Sequence, residues 1–198
     1  MDLWTIENEI LDAGTSPLCG VDEAGRGPLA GPVCAAAVIL PRGLVIPGLD
    51  DSKKLTPRKR DALFDAICAQ AVSFGIAFAT VEEIERLNIL GATYLAMNRA
   101  IAHLDPACAL ALIDGNRNEG IEAPSRCVIG GDGKCASIAA ASILAKVTRD
   151  RWMCDAAKTY PDYGFEKHKG YGTAAHYAAL RAHGPCAIHR PSFLRKMH

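Results

Sequence analysis

The sequence has no excess charge of either sign: 22 Lys and Arg stand against 22 Asp and Glu in 198 residues. A neutral total removes the simplest case for a polyanionic partner, so any such partner must be recognised locally. Aromatic residues make up only 6% of the chain, which leaves the core to aliphatic side chains. No apolar run approaches the ~20 residues of a membrane helix. The opening Met1-Asp2-Leu3-Trp4 lacks the basic start of a secretory signal. The eight cysteines include no CxxC pair, which excludes the usual zinc-site spacing and suggests free, largely buried thiols in a reducing cytosol. A GxSxG nucleophile motif is missing, no Ser/His/Asp arrangement stands out, and Gly133-Lys134 lacks the spacing and Ser/Thr of a phosphate-binding P-loop. The expectation is a soluble, cytoplasmic protein with no membrane association, monomeric by default.

What is present is apolar bulk, 49% of the residues, enough for one compact domain spanning 1–198. Charge is distributed unevenly. From Lys146 onward there are ten Lys plus Arg against four Asp plus Glu, together with five of the six histidines. An acidic cluster beside a basic C-terminal quarter suits metal ions next to a phosphate backbone, although a solvated surface of uneven charge gives the same count.

Strand-like and helix-like segments alternate. Leu3 to Leu11 has helical spacing; Leu18 to Asp22 and Val33 to Leu40 read as strands. Thr56-Pro57 opens a helix with Leu63, Phe64, Ile67 and Ala71 on its stripe. Val72, Phe74, Ile76 and Phe78 alternate as a strand does. Two helices follow near 81–86 and 90–104, then apolar runs at Ala109 to Ile113 and Cys127 to Ile129, a long helix from Ser137 to Tyr160, and a short one near 174–182. This pattern predicts an α/β fold with a central mixed sheet, a core over about 18–160 and a loop-rich C-terminal extension over 161–198.

Four carboxylates stand at strand ends. Asp22 and Glu23 close one apolar strand, Asp114 closes a second, and Asp132 follows a third. Ligands of open α/β sheets bind beyond such ends, and converging carboxylates repel unless a cation neutralises them. Oxygen-only ligation selects hard ions, Mg²⁺ or Mn²⁺, and two such ions about 3.5–4 Å apart can hold both oxygens of a phosphodiester displacement. Each acid taken alone is also an ordinary turn residue, Asp114-Gly115 and Asp132-Gly133 especially. The run Gly25-Arg26-Gly27-Pro28-Leu29-Ala30-Gly31 imitates a dinucleotide loop, but Pro28 and Pro32 interrupt it and a β-like run follows where a helix is required. A turn bringing backbone amides and Arg26 to a nucleic acid fits better.

These segments give the chain a specific resemblance. Val21 to Val33 (VDEAGRGPLAGPV), Asp51 to Leu55 (DSKKL), Leu112 to Gly115, Ser137 to Arg151 and His168 to Thr173 occur in the order found in bacterial ribonuclease HII, the type 2 ribonuclease H family, and the likeness runs from Cys19 to Phe193. It implies the ribonuclease H-like fold, a five-stranded mixed sheet with three antiparallel strands and two that extend it, flanked by helices. The activity it implies is endonucleolytic hydrolysis of RNA in RNA–DNA hybrids, leaving 5′-phosphate and 3′-hydroxyl ends, with incision beside single ribonucleotides embedded in duplex DNA. By position, Asp22, Glu23, Asp114 and Asp132 match the catalytic, metal-binding acids, and Asp150 an acid near the metals. Gly25, Arg26 and Gly27 match the loop that senses the ribose 2′-hydroxyl, and Tyr171 the tyrosine under the sugar at the RNA-to-DNA junction. Lys53, Lys54, Lys146, Arg149, Lys167 and Lys169 are candidate phosphate contacts. Gly130-Gly131 stands where many relatives have lysine and glycine, and Pro191 where a second arginine is common; each removes a candidate phosphate contact. Three rivals stay open: a catalytically silent hybrid-binding module, a general DNA nuclease, and the related ribonuclease HIII enzymes. The last are disfavoured by the short segment before the first strand.

Overall fold

The computed structural model describes residues 2–49 and 55–195. Five strands form one sheet in the order β3-β2-β1-β4-β5: β1 Leu18–Ala24, β2 Val33–Ile39, β3 Ser73–Ala79, β4 Leu110–Asp114 and β5 Ser125–Val128. β1, β2 and β3 are antiparallel neighbours; β1 with β4, and β4 with β5, are parallel. The sheet is the mixed, five-stranded one expected.

Helices cover both faces. α1 is Thr5–Asp12, α2 Pro57–Gln70, α3 Val81–Ala102 and α4 Ala136–Thr159; α5 Phe165–His168, α6 Ala174–His183 and α7 Pro191–Leu194 follow. Among the described residues no helix is long and apolar enough to cross a membrane. Thr56 caps α2 by accepting the Lys59 N–H, with Pro57 in the first turn, as the sequence indicated. α3 contains the break between the two expected helices: Asn88 leaves helical geometry at φ 60°, and its Oδ1 accepts the N–H groups of Leu90 and Gly91. The second half therefore starts with its own cap.

β3 buries its small side chains most deeply. Gly75, Ala77 and Ala79 are its buried residues, whereas Phe74 is 37% exposed and Val72, just before the strand, 53%. The small face is required by α3, because a Cβ on Gly75 would stand 2.1 Å from the Ala100 carbonyl oxygen. The thiols differ from expectation: all eight are free, but only Cys19, Cys34 and Cys135 are buried and the rest are half-buried.

α4 is the helix that organises the molecule. Every residue from Ala136 to Ala145 is buried, because this alanine-rich stretch lies against β1 and β2 on one side and beneath α1 and α2 on the other. Its approach to β1 is close enough that a Cβ on Gly20 would lie 2.2 Å from the Ile138 nitrogen. Its N-terminus has no side-chain cap of its own; buried Glu7 of α1 accepts the N–H groups of Ala136 and Ser137, at 3.1 Å each.

Candidate active site

β1 and β4 run in parallel with Val21 opposite Ile113, so the next residue on each, Asp22 and Asp114, emerges at the same end of the sheet. Alternation sets their face. Cys19, Val21, Ala111 and Ile113 enter the core beneath α3, while Gly20 and Leu112 face α4. Asp22 and Asp114 follow the second set. Asp132 arrives from a 3₁₀ turn, Gly131–Gly133, between β5 and α4. One carboxylate oxygen from each of Asp22, Asp114 and Asp132 lies within 4.8 Å of the others. Local backbone holds them there: Glu23 N–H donates to Asp22 at 2.7 Å, and Gly131 N–H to Asp114 at 2.7 Å. Gly130, in the left-handed region at φ 64°, turns the chain toward that second bond.

Asp22 is buried. Burial, together with the neighbouring charges of Glu23 and Asp114, holds its carboxyl well above the usual carboxylate range, against the lowering effect of the Glu23 N–H and the Ser142 hydroxyl. A cluster of carboxylates that keeps the proton on Asp22 is short of positive charge. Oxygen donors alone, at this spacing, fit a hard divalent cation.

The other acids differ. Glu23, next along β1, takes the opposite face and forms an ion pair with Arg26 at 3.3 Å. Asp150 pairs with Lys146 one turn earlier on α4, at 2.8 Å. Neither belongs to the group within 4.8 Å.

Gly25–Gly27 continues directly from β1. Gly25 has φ +100°, and a Cβ there would meet the Arg149 side chain at 2.0 Å, so the loop is glycine here because an arginine lies beneath it as well as for its backbone angle. Arg149 therefore corrects an expectation. It is 1% exposed, and its guanidinium donates to the carbonyls of Pro32, Ala30 and Lys169 at 2.9, 3.1 and 3.1 Å. A fully buried side chain committed to backbone oxygens is not a phosphate contact. Tyr171 is 44% exposed and stands beside the loop, with its Cε1 3.8 Å from where a Gly27 Cβ would be. Lys169 adopts φ 51° and its ammonium bonds the Glu166 carbonyl. Lys53 and Lys54 lie outside the described residues.

Sequence reasoning missed Arg190. It is 0% exposed, and donates to the carbonyls of Gly25, Pro28, Gly31 and Arg26 at 2.7, 2.8, 2.9 and 3.0 Å. Burial, and then the charge of Arg149, push its guanidinium down to about 9. Nothing in a lone arginine between His189 and Pro191 signals this role. The histidines of the same quarter form a second unseen unit. Cys186 N–H donates to His189 Nδ1 at 2.9 Å, which makes His189 Nε2 the donor to His176 Nε2 at 3.0 Å and leaves His176 Nδ1–H for the Tyr171 carbonyl at 3.0 Å. The C-terminal excess of histidine was the available signal.

Comparison with known proteins agrees with this geometry. The ribonuclease HII family model matches residues 19–196. A ribonuclease HII of Dechloromonas aromatica is 59% identical over 176 residues, covering 89% of this chain and 90% of its own. One of Burkholderia mallei is 57% identical over 182 residues, covering 92% and 85%. The crystal structure of ribonuclease H2 from Pyrococcus horikoshii OT3 superposes with a TM-score of 0.73 at 25% identity, over 91% of this chain and 96% of that one. The chain belongs to the ribonuclease HII family and is an endonuclease of the ribonuclease H type.

Proposed function

We propose that this enzyme hydrolyses the RNA strand of RNA–DNA hybrids and also incises duplex DNA beside a single embedded ribonucleotide. The observation that carries this reading is the placement of the Asp22, Asp114 and Asp132 carboxylates at the root of the Gly25–Gly27 loop, with Tyr171 against that loop. Asp22, Asp114 and Asp132 would hold divalent cations, Mg²⁺ or Mn²⁺, and Glu23, whose charge is already felt at Asp22, completes the acidic set. Two such ions would supply activation of the attacking water and charge neutralisation at the departing 3′-oxygen. Water attacks the phosphorus in line, the P–O3′ bond breaks, and the 3′-oxygen takes up a proton, which leaves 5′-phosphate and 3′-hydroxyl ends.

The chain's own groups do the selecting. The 2′-hydroxyl is the one group that separates ribose from deoxyribose, and the exposed backbone of Gly25, Arg26 and Gly27 can approach it closely. Tyr171 offers a flat apolar surface to the adjoining sugar. Lys167 and Lys169, with Lys53 and Lys54, position the phosphate backbone, while Lys146 is held by Asp150. The segment 161–198 acts with the core as one domain: Tyr163, Phe165 and Leu180 share a cluster with Leu29, Ala30 and Met153.

The test is an end-labelled DNA duplex with one ribonucleotide, incubated with Mg²⁺ with and without chelator, and the product mapped to the bond. A single chelator-sensitive cut beside the ribonucleotide is expected. Equal cutting of an all-DNA duplex, or no cutting at all, would overturn the proposal.

A further inference from the structure

Arg149 and Arg190 are both fully buried and lie under the same loop. Between them they take the carbonyl oxygens of Gly25, Arg26, Pro28, Ala30, Gly31 and Pro32, and Arg149 also takes that of Lys169. Neither guanidinium forms an ion pair among the described residues; backbone carbonyls take their N–H groups, and the Arg190 guanidinium also lies 5.0 Å from the centre of the Phe193 ring. Burying a cation without a counter-charge costs several kcal/mol, and placing a second beside it adds repulsion. An apolar pair of similar volume would leave these carbonyl oxygens without donors, so the arginines are there to hold the backbone of the loop.

The role follows from what the arginines do to the loop. A peptide whose oxygen is drawn inward presents its N–H elsewhere, and Gly25 to Pro32 is a turn with nearly all its acceptors consumed below. Leu29 N–H goes to the Gly170 carbonyl and Gly31 N–H to the Ile188 carbonyl. The N–H groups of Arg26 and Gly27, both on exposed residues, have no hydrogen bond within the described residues. The outer surface of the loop is thus rich in donors and backed by two fixed positive charges.

We infer that Arg190, supported by Arg149, is a positioning residue for ribose recognition: it draws the loop's carbonyls inward so that the Arg26 and Gly27 amides face the substrate as fixed donors. The acceptor they meet is the ribose 2′-oxygen, and the polyanion brought with it supplies the counter-charge that the buried pair lacks. This inference rests on the loop being the ribose sensor, as proposed above.

Arg190→Lys tests it, because lysine keeps the charge but cannot reach four carbonyls from a fixed fork. Two constants are measured by steady-state kinetics: KM for a duplex carrying one ribonucleotide, and Ki for the same duplex in all-DNA form as competitor. The ratio Ki/KM reports discrimination by the loop. In the wild-type protein it is expected to stand well above one. In Arg190→Lys it should fall by about tenfold or more, about 1.4 kcal/mol, through KM, with Ki within about twofold. Equal weakening of both, or an unchanged ratio in a folded variant, overturns the positioning role. Should Arg190→Lys fail to fold, Arg149→Lys, beneath the Ala30 and Pro32 end of the loop, is judged by the same ratio. A wild-type ratio near one would reject the loop as ribose sensor, a different failure that is visible before any variant is made.

Discussion

Asp22 and Asp114 sit side by side because two parallel strands end together, and their repulsion is a property of individual carboxylates. Asp22→Asn and Asp114→Asn are each expected to lower kcat by roughly a thousandfold, about 4 kcal/mol of barrier, without loss of fold. Asp22→Asn should also raise the stability of the metal-free protein by about 1 kcal/mol, since an amide at that buried place carries no charge to repel. Mg²⁺ at millimolar concentration should raise Tm for the wild-type protein by mass action and do so less for either variant. Thermal unfolding with and without Mg²⁺ measures both effects. A wild-type Tm indifferent to Mg²⁺ would contradict a cation site made by these acids.

Helices and strands show their dependence on single contacts elsewhere. α4 lacks a cap and borrows Glu7 from α1, so Glu7→Ala should cost about 2 kcal/mol by leaving the buried Ser137 N–H unanswered, the Ala136 N–H keeping the Leu3 carbonyl, read by chemical denaturation. Gly20→Ala forces α4 away from β1 and should cost at least about 2 kcal/mol. The C-terminal elements carry a pH dependence. His189 is held down to about 4 by burial first and then by the facing His176 and His168, and His176 is lowered likewise; Cys186 and Tyr163 are the other titratable groups against them. A histidine depressed in the fold stays neutral there while the unfolded chain takes up its proton. The stability this represents is complete above about pH 6.5 and is lost as pH falls toward about 4. Loss of roughly 3 kcal/mol between those limits is expected from His189, and His189→Gln should flatten that part of the curve. Urea unfolding at a series of pH values decides the matter.

For the molecule as a whole, the ten basic side chains of the C-terminal quarter overstate what a phosphate backbone can meet. Arg149 and Arg190 are interior, and Lys146, Arg151 and Lys158 are already paired with Asp150, Asp61 and Asp155. From this quarter, the slope of log affinity for an all-DNA duplex against log salt should therefore correspond to about five neutralised phosphates and not about ten. The same residues mark the limit of what could be read without coordinates. Apolar runs and their terminators located all five strands, and acids at or after three strand ends located the carboxylate cluster, because alternation and strand-end chemistry are local. Burial of an arginine depends on carbonyls more than a hundred residues away, and a charged residue in a loop carries no mark of it. The small face of β3 was hidden for a related reason: alternation marks a strand, but only the packing of α3 shows that this one needs Gly75.

α4 touches both halves of the site. Its Ser142 bonds Asp22, and its Arg149 grips the loop above; seven residues of helix separate them, about 10 Å of rise. A rod of that length does not stretch, so with the loop as the proposed ribose sensor the helix would act as a ruler. Once a sugar is lodged against the loop, the phosphodiester that breaks is already chosen, and the cut should fall at one fixed offset whatever the surrounding bases.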